Sequence, residues 1–75
     1  MQRSTDARLA NRVRVARAER SLSQTDLAEA AGVSRQTISS IETGQYVPST
    51  LLALRIAQVL DVPVADLFWI EGDGR

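Results

Sequence analysis

Gly32 is the residue that most constrains how this chain folds. Apolar residues recur at helical spacing on both sides of it: Leu27, Ala28, Ala31, Ile38 and Ile41. A glycine here predicts that the first helix ends in the left-handed conformation, and Ser34 can cap the next helix two residues later. So short a turn makes the two helices cross steeply. We therefore expect Ala28 to be small because Ile38 must approach it.

The second of these helices, predicted over about residues 35–43, has an outer face that suits nucleic acid. At 100° per residue, the side away from the isoleucines carries Arg35, Gln36, Ser39, Ser40 and Thr43. Gln36 can hydrogen-bond to adenine, and Arg35 to guanine or a phosphate. Two helices and a tight turn are typical of a helix-turn-helix, which places its second helix in the major groove of DNA. The alternative is a merely polar, solvated face.

Length and composition limit the classes of protein that fit this pattern. The chain has 75 residues, 44% hydrophobic and 24% charged, as is typical of one globular domain. We expect a single domain over 1–75, with a core at about 6–70 and flexible ends at 1–5 and 71–75. The sequence lacks a membrane-spanning stretch and a signal peptide, which predicts a cytoplasmic protein. Because cysteine and histidine are absent, we expect no metal, no cofactor and no enzymatic activity.

Charge is distributed unevenly along the chain, although nine arginines balance nine acids. Residues 1–35 have seven arginines against four acids, whereas residues 36–75 have two against five. A domain polarised in this way can turn its basic end toward phosphates, but a zero formal charge predicts modest nonspecific affinity. Several arginines of the first predicted helix either line a solvated face or contact the DNA backbone: Arg8, Arg12, Arg14 and Arg20.

Two helices are predicted up to Gly32. The first runs to about Arg20, with a cap from Ser4, Thr5 or Asp6 and a buried stripe at Leu9, Val13 and Ala16. Ser23 and Asp26 form a capping box for the second helix, which makes Gln24 its first residue. A side chain there can reach a phosphate together with the free amides of the helix N-terminus.

Two further helices are predicted toward the C-terminus. Ser49 caps a fourth helix over about 50–60 that is nearly all apolar. Such a helix is either surrounded in the core or partly covered by a second subunit. Pro63 starts a short fifth helix, P-V-A-D-L-F at 63–68, after which Trp69 and Ile70 either pack at the core edge or contact a second copy.

Together these motifs resemble the Xre-type family of DNA-binding domains, the helix-turn-helix of phage repressors and Cro. The matching segments are V-R-V-A-R at 13–17, L-S-Q-T-D-L-A at 22–28, A-G-V-S-R-Q-T-I-S at 31–39, I-E-T-G at 41–44, P-S at 48–49 and A-L-R-I-A…D-L-F at 53–68. The resemblance implies a compact five-helix, all-α fold with the helix-turn-helix at helices 2 and 3. It also implies operator recognition by helix 3, often by a dimer on a palindromic site.

The resemblance implies roles for individual residues as well. Positions that match the family's DNA contacts are Gln24, Arg35, Gln36 and Ser40. We expect base reading by Arg35, Gln36, Ser39 and Ser40, and phosphate contacts by Gln24, Ser34, Thr37, Thr43, Gln45 and Tyr46. The Tyr46 hydroxyl and the amides of its loop can donate to phosphate, or the ring can pack over the core edge. Arg17 is expected to pair with Glu42, which fixes helix 1 against helix 3, while Gly32 and Ala28 shape the turn.

Three positions depart from the family pattern. Ser21 stands where glycine is common, so helix 1 is expected to end without a left-handed residue. Pro63 replaces a side-chain cap at helix 5. Leu51 is apolar where the family is commonly polar, which argues against a simple monomer.

The leading hypothesis is a sequence-specific transcription regulator, a repressor, that binds two half-sites of double-stranded DNA. It would act as a homodimer through helix 4, Trp69 and Ile70. One alternative is a protein-interaction or antitoxin-like module that uses its exposed leucines and Trp69. Another is the N-terminal DNA-binding part of a longer, ligand-responsive regulator. Catalysis ranks last, because Asp26 and Glu29 are clustered carboxylates with no base or nucleophile nearby.

Overall fold

The computed structural model describes residues 7–72 as five helices and a two-stranded antiparallel sheet. The helices are α1 Val13–Glu19, α2 Gln24–Ala31, α3 Arg35–Glu42, α4 Thr50–Leu60 and α5 Val64–Leu67, and the strands are β1 Arg8–Asn11 and β2 Phe68–Glu71. The expected five-helix, helix-turn-helix architecture is confirmed, with a small sheet added to it. None of the helices within residues 7–72 is long and apolar enough to cross a membrane.

The N-terminal helix is shorter than the sequence predicts. Residues 8–11 form β1 instead of the first turns of a helix, and α1 begins at Val13. Leu9, expected in the buried stripe, lies on this strand opposite Ile70, whereas Val13 and Ala16 are fully buried as expected. The strand forms because β2, from the far end of the chain, pairs with it. The candidate caps at residues 4–6 lie outside the described residues, as do 1–5 and 73–75 of the expected flexible ends.

Four of the helices end in the same motif, in which a residue of positive φ follows the last turn. These residues are Ser21, Gly32, Gly44 and Asp61, with φ between 58° and 81°. In each case the amide of the following residue donates to the carbonyl five residues earlier, as in the Schellman motif. The expectation that helix 1 would end without a left-handed residue is therefore wrong. The hydrogen bonds around Ser21 outweigh the strain of about 1–2 kcal/mol that a residue other than glycine bears in this conformation.

The core is formed by one side of each helix. Its fully or nearly fully buried residues are Val13, Ala16, Leu27, Ala28, Ala31, Ile38, Ile41, Leu52, Ile56, Ala57, Leu60 and Leu67. The apolar residues that follow three of the left-handed positions pack against this cluster as well: Leu22, Val33 and Val62. Each of them thereby fixes the direction in which the chain leaves its helix.

α4 buries one stripe and leaves the rest of its apolar surface uncovered. Ser49 caps it as predicted, its Oγ accepting from the amide of Leu52. Leu51 is 62% exposed and Leu54 is 48% exposed, so this helix is not surrounded by the core. Trp69 and Ile70 on β2 are also exposed, at 40% and 66%, and neither is among the residues of the hydrophobic core.

The short fifth helix differs slightly from its prediction. Pro63 is the residue before α5 and not its first residue, and it provides no side-chain cap. Val64 begins the helix, and Leu67 ends it in the core. Phe68, expected in the helix, already has extended backbone and starts β2.

Candidate nucleic-acid interface

The turn between α2 and α3 is built as the sequence predicts. Gly32 has φ of 78°, and the amide of Val33 donates to the carbonyl of Ala28 at 3.0 Å. Ser34 then caps α3, its Oγ accepting from the amide of Thr37 at 3.1 Å. Ala28 is 2% exposed and Ile38 is completely buried, and their helices pack directly on each other. A small side chain at this buried position of α2 is compatible with a close crossing of the two helices.

The N-terminus of α2 carries the predicted capping box. The Ser23 amide donates to the Asp26 carboxylate and the Asp26 amide donates to Ser23 Oγ, each at 2.9 Å. The hydrogen bond from the Ser23 amide is the main reason that the pKa of Asp26 is lowered. Gln24 is thereby fixed as the first residue of α2, where the first-turn amides have no partner within the helix.

The outer face of α3 carries amide and hydroxyl groups that remain open to solvent. Arg35 and Gln36 are exposed, and Ser39 and Ser40 are half-buried. Gln36 Nε2 donates to Ser40 Oγ at 3.2 Å, which joins two of the expected base-reading side chains. Gln36 still has one N–H and its carbonyl oxygen, the donor and acceptor that a bidentate contact with adenine needs.

A chain of charged and polar side chains lies behind this face. Arg17 Nε donates to Glu42 Oε2 at 2.7 Å, and Arg17 Nη2 donates to Glu42 Oε1 at 3.2 Å. The expected pair between helices 1 and 3 is therefore present and bidentate. The Arg17 side chain is 15% exposed and that of Glu42 is 3% exposed, so water screens the pair little. Hydrogen bonding to Glu42 raises the pKa of Arg17.

Gln24 extends this chain to Arg35 at the start of α3, a connection that sequence reasoning missed. Its Nε2 donates to Glu42 Oε1 at 3.1 Å, and its Oε1 accepts from Arg35 Nη1 at 3.2 Å. The carboxylate and the guanidinium together fix which way the Gln24 amide points. The partners are 18 and 11 residues away, so no local sequence pattern indicates these bonds.

Ser34 and Thr37 form a hydroxyl pair at the start of α3. Their side-chain oxygens are 2.9 Å apart, and either one can be the donor. Because only one proton lies between them, the other hydroxyl keeps a proton that it can donate elsewhere. Thr43 differs, since its Oγ1 donates back to the carbonyls of Ser39 and Ser40.

The turn after α3 has its amides already engaged. Those of Gln45 and Tyr46 both donate to the Ser40 carbonyl, at 2.8 and 3.2 Å. The expectation that these two loop amides serve phosphate is therefore wrong, because the turn itself uses them. Tyr46 is 47% exposed. Gln45 is exposed. After α1, α2 and α4, the residue that follows the left-handed position packs on the core instead.

Comparison with known protein families agrees with this geometry. The family described as Helix-turn-helix matches residues 13–67, from the start of α1 to the end of α5. This chain belongs to the helix-turn-helix family. The resemblance inferred from its sequence is thus confirmed, and α2 and α3 are its helix-turn-helix.

Two relatives and one solved structure show how far the similarity extends. YgzD of Bacillus subtilis, an uncharacterized HTH-type transcriptional regulator, is 48% identical over 61 residues, covering 81% of this chain and 92% of YgzD. A protein of the same description from Methanocaldococcus jannaschii is 48% identical over 63 residues, covering 84% of this chain and 96% of the relative. The restriction-modification controller protein C.AhdI from Aeromonas hydrophila has a TM-score of 0.69 at 31% identity, covering 72% of this chain and 82% of C.AhdI.

Proposed function

We propose that this protein is a sequence-specific DNA-binding transcription regulator that acts as a repressor, with α3 in the major groove. The observation that carries the proposal is the outer side of α3, where amides and hydroxyls stand instead of the glutamates and lysines of a merely solvated helix. In a helix-turn-helix this side meets the base edges. The description of its relatives as transcriptional regulators supports the proposal. Such a regulator acts on DNA in the cytoplasm.

The base-reading residues in this proposal are Arg35, Gln36, Ser39 and Ser40. Arg35 has five N–H donors, so it can hold guanine or a phosphate while one of them stays bound to Gln24. Gln36 reads adenine with its remaining N–H and its carbonyl oxygen. Ser40 keeps its own proton, because it accepts from Gln36.

Phosphate contacts surround this reading face. The residues proposed for them are Gln24, Ser34, Thr37, Thr43, Gln45 and Tyr46. Gln24 keeps one N–H at the N-terminus of α2, where the amides of the first helical residues point out of the helix. Thr43 has to release the bond to its own helix before it can donate to a phosphate, so we expect its contribution to be the weakest.

Selection of bound sequences from a random DNA pool tests the proposal. The wild-type protein should recover one motif, and a reporter gene placed behind that motif should be expressed less when the protein is present. Gln36→Ala should lose preference for one base by about fivefold or more, since a bidentate contact provides discrimination of roughly 1–3 kcal/mol. Glu29→Ala is the control, because Glu29 is exposed on α2 and is not among the residues proposed to contact DNA or a second copy. Recovery of no motif, or an unchanged motif with Gln36→Ala, would refute the proposal.

The proposal includes a homodimer formed through α4, Trp69 and Ile70. Exposed apolar side chains on both elements support it, Leu51 and Ile70 being about two-thirds exposed. A two-fold dimer predicts a palindrome with half-sites about 34 Å apart.

Sedimentation equilibrium tests the dimer separately from DNA recognition. Trp69→Ala should shift the equilibrium toward monomer, whereas Val15→Ala, which trims an exposed apolar residue on α1, should not. A wild-type protein that stays monomeric at micromolar concentration and selects a single half-site would exclude the dimer. If no DNA motif is recovered but Trp69 is needed to bind another protein, the interaction-module hypothesis is correct instead.

A further inference from the structure

Asn11 connects three elements that the sequence keeps far apart. It is the last residue of β1, opposite Phe68 of β2, and it is half-buried. Its Oδ1 accepts from the amide of Val13 at 3.0 Å, at the start of α1. Its Nδ2 donates to the carbonyl of Ile41 at 3.0 Å, in the last turn of α3.

The bond to Ile41 reaches the end of the helix that faces DNA. Carbonyls in the last turn of a helix have no partner within it, and Asn11 provides one from another part of the fold. The same carbonyl also accepts from the Gly44 amide at 3.0 Å, so Asn11 and the turn that follows α3 share one acceptor. The adjacent residue, Glu42, is held by Arg17. Two successive residues of α3 are thus tied to the N-terminal part of the protein.

We propose that Asn11 is a positioning residue for DNA recognition. By bonding the Ile41 carbonyl, it fixes the last turn of α3 and the turn beyond it against β1. The proposed phosphate contacts Thr43, Gln45 and Tyr46 lie on that turn, and phosphate contacts set the register of a helix in the groove. The pairing of β1 with β2 gives Asn11 a rigid support. This inference rests on the proposed function, although the position of α3 can be measured without DNA.

The variant Asn11→Asp distinguishes a role of Asn11 in positioning α3 from a role in capping α1. Aspartate keeps the acceptor for the Val13 amide but cannot donate to the Ile41 carbonyl when ionised. The quantity to measure is the affinity for the selected motif divided by the affinity for an unrelated duplex, both at one salt concentration. We expect this ratio to fall about fivefold, the factor that one net hydrogen bond provides. Any uniform repulsion of DNA by the new charge cancels in this ratio. Val59→Ala is the control, because it trims a partly buried residue of α4 and should lower stability without changing the ratio.

Amide hydrogen exchange and residual dipolar couplings of the free protein provide the second measurement. In Asn11→Asp the amides of Gly44 and Gln45 should exchange faster, and α3 should change its orientation relative to α1. Val59→Ala should leave that orientation unchanged.

If Asn11→Asp matches the wild type in both exchange and orientation, Asn11 is only a cap for α1 and the inference is wrong. If α3 moves but discrimination is unchanged, the role in recognition is excluded. If the wild type recovers no motif, the proposed function fails, and with it any role of Asn11 in recognition.

Discussion

Replacing Arg17 with methionine should destabilise the fold much more than replacing Glu42 with glutamine. Arg17→Met keeps an unbranched apolar stem but leaves the Glu42 carboxylate, which is 3% exposed, without its counter-ion. Only the hydrogen bond from Gln24 would remain to it. Removing one partner from a buried ion pair costs about 3–5 kcal/mol.

This cost is large for a protein of this size. A domain of 75 residues has a free energy of unfolding of about 4–11 kcal/mol, so Arg17→Met should leave it marginally stable. Glu42→Gln is milder because the new amide oxygen can still accept from Arg17. The guanidinium also keeps its bond to the Leu22 carbonyl at 2.8 Å and has more contact with water. We expect Glu42→Gln to cost about 1–2 kcal/mol.

Urea unfolding followed by circular dichroism at 222 nm measures these differences. The double variant Arg17→Met/Glu42→Leu removes both charges and should be more stable than Arg17→Met alone, because no buried charge is left unpaired. The pair should show a coupling energy of at least about 2 kcal/mol. If the effects of the Arg17→Met and Glu42→Leu single variants simply add in the double variant, the two side chains do not stabilise each other and the reasoning is wrong.

Three further changes test the local structure. Ser21→Gly should raise the free energy of unfolding by about 0.5–1 kcal/mol, seen as a higher urea midpoint, because glycine tolerates the φ of 58° without strain. Asp26→Asn should make thermal stability less dependent on pH below about pH 4. The lowered pKa of Asp26 means that its stabilisation is present above the ordinary carboxyl pKa and is lost as pH falls through the lowered value. Ala28→Leu should destabilise by about 1–3 kcal/mol in urea unfolding, because Ala28 is 2% exposed at the helix crossing and a larger side chain must overpack it.

The middle of the chain could be predicted closely because its signals are local. Ser23, Ser34 and Ser49 each cap the helix that begins at the next residue, and each was predicted from neighbours within a few positions. Gly32 likewise has the conformation that its place between two helical patterns requires. The hydrogen bonds of these caps and of the Gly32 turn connect residues three to five positions apart, so the sequence displays both partners together.

The ends of the fold could not be predicted in the same way. The spacing of Leu9, Val13 and Ala16 fits a helix, but β2 at the other end of the chain provides a strand partner for residues 8–11. A pattern taken from a short window cannot show a partner that lies so far away. The left-handed conformation of Ser21 is hard to predict for a different reason. The hydrogen bonds of its turn override the usual preference for glycine at such a position.

In the candidate site, too, some features follow from local sequence signals and others depend on distant partners. The outer face of α3 follows from helical periodicity alone, so Gln36 and Ser40 could be placed on it without a structure. The pair of Arg17 and Glu42 was expected from the family resemblance and is present. The bonds of Gln24 to Glu42 and to Arg35 were not expected, because they need the angle between helices that only tertiary packing sets.

A zero formal charge is compatible with DNA binding in this fold because DNA meets one face and not the whole chain. α3 has a single acidic residue, Glu42, whose carboxylate points inward and is 2.7 Å from Arg17. The outer side of the helix is left with Arg35 and uncharged hydrogen-bonding groups. Uncharged donors release few counterions, so they add little to nonspecific affinity while still distinguishing one base from another. The proposed regulator would therefore depend on base contacts more than on charge, and the buried ion pair keeps the acidic residue of α3 away from the phosphates.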